Sequence, residues 1–107
     1  MKLLTKEVLK KLEKNNTVPE TDRKPVVKFF GGGACTWLIS EKDGDILFGL
    51  CDLGVGTPEI GYVSFTELAE AKFPPFGLKV ERDLYFTADK TLVEYADEAR
   101  EKGYINA

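Results

Sequence analysis

From Trp37 to Leu50 the chain reads WLISEKDGDILFGL, two stretches of alternating apolar residues joined by Asp43-Gly44. Few signals constrain a fold so tightly. An Asp-Gly pair supplies the positive φ that a two-residue hairpin turn demands, and a period of two marks strands with a buried face. With Asp43-Gly44 as the turn, Ile39 falls opposite Phe48 and Trp37 opposite Leu50, which gathers the apolar side chains on one face. In that register Cys35 shares the face of Trp37 while Cys51 points the other way. The two cysteines are therefore expected as buried, reduced thiols rather than a disulfide; a reactive Cys35 beside the neighbouring glycines is the alternative.

The rest of the chain supplies helices and further strands around this hairpin. Leu4, Val8 and Leu12 recur every fourth residue among lysines and glutamates, which predicts an amphipathic helix capped by Thr5 and lying across the sheet. Residues 14–25, with two prolines and no periodicity, read as a flexible loop. Val26 to Phe30 is rich in β-branched and aromatic residues and is expected as a strand closed by Gly31-Gly32-Gly33. A glycine-punctuated loop from Asp52 to Glu59 precedes another short strand, Ile60 to Val63. Ser64-Phe65-Thr66-Glu67 fits a capping box and predicts a helix of about two turns, to Lys72, stopped by Pro74-Pro75. Leu78 to Val80 and Leu84 to Phe86 are candidates for the sheet edge. Thr91 to Glu94 forms a second capping box, and Leu92, Tyr95, Ala96 and Ala99 make an apolar stripe along a helix spanning 91–103. Gly103 ends it, with Tyr104 folding back over the last turn. The stripe either packs on the sheet or receives a partner helix. The sum is a single α+β domain: a small, mainly antiparallel sheet with an N-terminal helix, a short inserted helix and a C-terminal helix.

The segment GYVSFTELAEAKFPPFGLKVERDLYF from Gly61 to Phe86, with the opening MKLLTKEVLKKL, VVKFF, TWLISEKDGDILFGL and Ile60, resembles the domain of unknown function 2958 family. That resemblance implies a small accessory protein of plasmids, phages and other mobile elements, and carries no settled activity. The closing helix is where the chain departs from that pattern, in which an ERDLYF-like segment stands near the end.

Composition narrows the function classes. The chain has 107 residues, 18 acids against 15 bases and no histidine. A net charge of -3 argues against a broad phosphate-binding surface, so nucleic-acid binding is a minor alternative. Without histidine, Ser-His or Cys-His triads and His-based zinc sites are excluded. The remaining carboxylates, lysines, tyrosines and cysteines fall into no catalytic motif, so a non-enzymatic module without metal or cofactor is expected. No apolar run spans a membrane and the N-terminus lacks a signal-peptide core, which points to the cytoplasm. The acids of Glu41, Asp43 and Asp45, and of Glu94, Asp97, Glu98 and Glu101, read as solvated surfaces or as a patch for a basic partner.

Candidate binding residues follow from the same reading. Trp37, Tyr62 and Arg82 are the residue types that anchor interfaces, although each also serves as core or structural bridge. Glu81-Arg82-Asp83 is the most family-like charged triplet, with Arg82 able to grip a carboxylate bidentately. Gly31, Gly32 and Gly33, and Gly54 and Gly56, are turns that could instead present amides to an anion, with Glu81, Arg82 or Tyr85 as polar groups. Lys28-Phe29-Phe30 suggests a base-stacking strand or, more simply, a sheet strand with a buried face. The leading expectation is a module that binds a protein partner, with inhibition of a host defence as a special case. Small-ligand or nucleotide binding at the glycine loops is the alternative.

Overall fold

A computed structural model describes residues 1–107. Its centre is a five-stranded antiparallel sheet of β1 (Val27–Gly31), β2 (Cys35–Asp43), β3 (Ile46–Asp52), β4 (Glu59–Ser64) and, after two strands that lie elsewhere, β7 (Glu81–Arg82). The spatial order is β4-β3-β2-β1-β7; β5 (Lys72–Phe73) and β6 (Leu78–Lys79) pair in a separate ribbon. Three helices, α1 (Lys6–Asn15), α2 (Phe65–Glu70) and α3 (Leu92–Lys102), complete the expected α+β domain.

The sheet is covered on both faces, which explains why Trp37, Leu38 and Ile39 are apolar in succession. On one face Leu3, Leu4, Val8 and Leu12 from the N-terminal segment and α1, with Leu68 of α2, bury against Phe29, Trp37, Ile39 and Leu47. On the other, Leu92, Tyr95, Ala96 and Ala99 of α3 close over Leu38 and Leu50. Each large aliphatic side chain so buried contributes about 1.5–3 kcal/mol. The small residues of α3 thus meet the sheet of their own chain, Ala96 and Ala99 both wholly buried.

The hairpin register differs from the one expected. The last pair is Asp43↔Ile46, so the two-residue loop is Gly44-Asp45, one residue later. Gly44 has φ +58° and no other residue type takes a positive φ, the sign pattern of a type II′ turn. A β-bulge then shifts the pairing between Ile39 and Glu41, so that Trp37 faces Cys51, Leu38 faces Leu50, Ile39 faces Gly49 and Glu41 faces Phe48. The extra residue, Ser40, returns the apolar set to the correct faces after the displaced turn. One consequence corrects the cysteine placement: Cys51 stands on the Trp37 face with Cys35, and both pack against the α1 core. They are not cross-strand partners, and both are free thiols. Burial pushes both thiols above their ordinary range, Cys35 also through the Asp52 charge.

Three further expectations are corrected. The inserted helix ends at Glu70, and Lys72 belongs to β5; Pro74-Pro75, joined by a cis bond, sits in the loop of the β5–β6 ribbon rather than stopping a helix. The strand added to the sheet edge is Glu81–Arg82, while Leu78–Lys79 pairs in the ribbon and Leu84 to Phe86 forms no strand. After Gly103, at φ +82°, it is Ile105 that packs on the α3 core, whereas Tyr104 stays exposed. Ile105 is held by its amide, which donates to the buried carboxylate of Asp52, itself also accepting from the Gly54 amide.

Segment 14–25 contains the end of α1 and a 3-10 turn at Glu20–Asp22. It is tied to the domain: Asn15 Nδ2 donates to the carbonyls of Lys24 and of the bulged Ser40, both at 2.9 Å. Arg23 donates to the Val18 carbonyl at 2.7 Å and to Glu41 at 2.6 Å.

Candidate functional site

The helix α3 covers only part of its face of the sheet, and beyond its N-terminus the strands lie open. The residues that alternate onto this face, Ile46 and Phe48 of β3 and Ile60 and Tyr62 of β4, form an apolar floor with Leu92 and Val93 at one side. Across from it stand Glu20, Thr21 and the strand from Ser40 to Asp43, enclosing a groove of about 650 Å³. Tyr62 lies opposite Phe48 in register and their rings stack in a tilted arrangement, centroids 5.0 Å apart. Tyr62 is nevertheless 75% exposed. A pair of this geometry adds about 0.5–1.5 kcal/mol beyond its burial, and here it holds a large ring at the mouth of the groove.

The polar side is built by the bulge. Glu41 is neutralised by Arg23, both side chains mostly shielded. Glu20, Asp43 and Lys42, which also line the groove, make no ion pair. Ser40 is wholly buried, lies among the groove residues, and its Oγ has no hydrogen-bond partner. A hydroxyl left in that state is destabilising unless something supplies a partner.

The hairpin tip anchors the groove to α2. Asp45 accepts from Ser64 Oγ at 2.6 Å, Thr66 Oγ1 at 2.7 Å and Thr66 N at 3.1 Å. These bonds, first those from the Ser64 and Thr66 hydroxyls, hold its carboxyl below the usual range. Ser64 Oγ in turn accepts from the Glu67 amide, the expected cap of α2. The other half of that capping box is absent; Asp45 supplies the second anchor from the adjoining β2–β3 turn.

The sequence candidates disperse. Trp37 is buried in the α1 core. Tyr62 is in the groove. Glu81 and Arg82 sit in β7, the opposite edge of the sheet from β4, four strand spacings or roughly 19 Å away. Arg82 grips no carboxylate: its Nε donates to the Lys2 carbonyl at 3.2 Å, fastening the N-terminal segment to the edge. Tyr85 is 93% exposed near the chain's end.

The glycine loops meet at one end of the sheet but line none of the four principal clefts. Gly31 and Gly32 are covered by the ring of Phe73, so close that a Cβ at either would lie 2.8 or 2.6 Å from it. A Cβ at Gly54 would meet Ala34 at 2.7 Å, whereas Gly33 and Gly56 face open space. Their main role is close packing of loop on loop and of Phe73 on backbone. In Lys28-Phe29-Phe30, Phe29 is wholly buried and Lys28 is engaged by Asp83 and the Ala107 carbonyl.

Among residues that sequence reading passed over, Ile46, Phe48, Ser40 and Glu20 now matter most. The alternation marked Ile46 and Phe48 as core, and only the extent of α3 shows that this end is uncovered. No group of three or more Cys, Asp or Glu side chains is gathered to hold a metal ion. No helix is long and apolar enough to cross a membrane.

Fold and groove together define a small α+β domain that exposes an aromatic-lined cleft beside an open sheet edge. The chain belongs to the family described as protein of unknown function (DUF2958), which it matches over residues 3–106. That span includes α3, so the closing helix is part of the family's pattern rather than a departure from it. No curated protein and no solved structure matches the chain.

Proposed function

We propose that this protein is a non-enzymatic binding module that engages a protein partner through the groove beside β4. The observation that carries the reading is the exposed Tyr62 ring, stacked on Phe48 over an apolar floor. Tyrosines held on rigid strands, with apolar surface around them and polar groups at the rim, are the recurrent anchors of protein interfaces. Exposing such a ring where α3 could have covered it favours recognition over packing. That the partner belongs to a host defence which a mobile-element accessory protein inhibits is the finer reading, and it rests on the family resemblance alone.

The test compares the wild-type chain with Tyr62→Glu as baits in lysate of the natural host. Circular dichroism must show the same fold for both. One protein held in stoichiometric amount by the wild type and lost by Tyr62→Glu is the expected outcome. No partner at all, or one retained equally by both baits, would overturn the reading.

A further inference from the structure

β4 is an edge strand, and its outward backbone is open. Phe65 N donates to the Asp45 carbonyl at 2.7 Å, continuing the β3–β4 register by one pair. Hydrogen-bonded pairs alternate along an antiparallel ladder, so the bonded pairs are Leu47↔Val63, Gly49↔Gly61 and Cys51↔Glu59. The main-chain N–H and C=O of Ile60, Tyr62 and Ser64 therefore point away from β3. Those of Ile60 and Tyr62 and the Ser64 N–H have no backbone partner in another element, while the Ser64 carbonyl, at the N-cap of α2, accepts the first bond of that helix. Their side chains are on the groove face.

This edge is lightly guarded, its one charged residue being Glu59 at the strand's start. β4 runs six residues, its ladder to β3 has no register shift, and its sequence EIGYVS contains no proline, lysine or arginine. The opposite edge, β7, is two residues long and bears Arg82. Natural sheets protect a long edge because its unpaired amides template strand addition. A lightly guarded edge flanked by an apolar groove is the arrangement with which β-augmentation sites bind.

We propose that β4 is a docking strand, to which an extended segment of the partner adds as a sixth strand, with alternate apolar side chains entering the groove and basic ones between. This rests on the groove reading above and names its partner's chemistry. Charge sets the choice of occupant: at the groove the unpaired charges are Glu20 and Asp43 against Lys42, and Glu59, in register with Cys51, stands on the other face of β4, the face that the intervening basic side chains would meet. A second copy of the chain would bring another net -3 and the same acidic rim to the contact. A basic, extended segment meets that field favourably. Ser40 Oγ, buried and without a partner beneath the groove, adds a polar group that an occupant's closure could satisfy.

The test selects random short peptides displayed on phage against the full chain, then follows amide hydrogen exchange with a selected peptide bound. Enrichment of peptides alternating apolar residues with Lys or Arg, and slowed exchange at Ile60, Tyr62 and Ser64, is the expected result. Two variants separate the backbone from the ring. Tyr62→Ala keeps the outward N–H and should weaken binding about tenfold. Tyr62→Pro also deletes the donor, at an edge position where proline is tolerated, and should weaken it by about a further tenfold. Proline and alanine behaving alike, with unchanged exchange along β4, would overturn strand addition while leaving the groove reading intact. Acidic or helical-period peptides, no enrichment, or a dimer of the chain that protects β4 would also overturn it.

Discussion

Gly49→Ala should disrupt this fold more than any other substitution of a single hydrogen by a methyl group. Gly49 lies in the central strand β3 opposite Ile39, where the bulge brings β2 unusually close. A Cβ there would overlap the Leu38 carbonyl oxygen and stand 2.9 Å from both the Leu38 carbonyl carbon and the Ile39 Cα. The obstacle is the backbone of Leu38 and Ile39, both wholly buried, so no side chain can swing away. Relief requires β2 and β3 to part by about 1 Å, a strain of roughly 1–3 kcal/mol for an overpacked core. The ladder bonds on either side then weaken, at about 1 kcal/mol each. The sum, about 3–5 kcal/mol, is a large part of the stability of a domain this size.

Gly61 is the control, because it is the register partner of Gly49 in β4 and a Cβ there meets nothing. Gly61→Ala should lie within about 0.5 kcal/mol of wild type. The assay is urea denaturation followed by circular dichroism and by the fluorescence of Trp37, the chain's one tryptophan, which is buried opposite Cys51. With a slope of about 1.5 kcal/mol/M, a loss of about 4 kcal/mol lowers the midpoint by roughly 2.7 M. A Gly49→Ala protein that unfolds within about 1 kcal/mol of wild type would refute the close approach of β2 and β3 at the bulge, and with it the pairing of Ile39 with Gly49.

Other outcomes follow from the same contacts. Ser40→Ala removes a buried hydroxyl that has no partner, and should leave stability unchanged or raise it by up to about 1 kcal/mol in thermal unfolding. Thr91→Ala deletes the N-cap of α3, whose reciprocal box with Glu94 is complete, and should cost about 1 kcal/mol by the same measurement. The carboxyls of Asp45, Asp89, Glu94 and Glu98 are held low by hydrogen bonds in the folded state, so the unfolded chain binds protons first on acidification. Stability should therefore be full above about pH 5 and decline as pH falls through the depressed folded values. Lys90 is held high, chiefly by its bond to Glu98, so its contribution is present below 10.5 and is lost as pH rises through the raised folded value. Melting temperatures across that range should form a plateau with both shoulders, the acid shoulder shallower in Asp45→Asn.

Local chemistry was legible in the sequence wherever it was local in space. Thr5, Thr91 and Gly103 act on helix ends within a few residues of themselves, and all three do what their types imply. The bulge left no such mark, because Ser40 is ordinary in a strand and the residue that permits it, Gly49, lies on the facing strand. The Asp45 anchor likewise joins residues distant in sequence, so Ser64 to Glu67 looked like a self-contained capping box. Pro74-Pro75 read as a helix stop because the pairing of Lys72 with Lys79 depends on the fold of the whole segment. Tyr62 was legible as an interface type, as was Trp37. What separates them is that α1 and the N-terminal segment cover one face of the sheet, while α3 stops short on the other.

The proposed partner site is the groove beside β4. Its most direct test is site-specific photo-crosslinking in the natural host, with a benzophenone amino acid placed at Tyr62 or, as the comparison, at the equally aromatic and more exposed Tyr85. One discrete protein adduct is expected from position 62, and none of comparable yield from position 85. Adducts from 85 without any from 62 would contradict that placement.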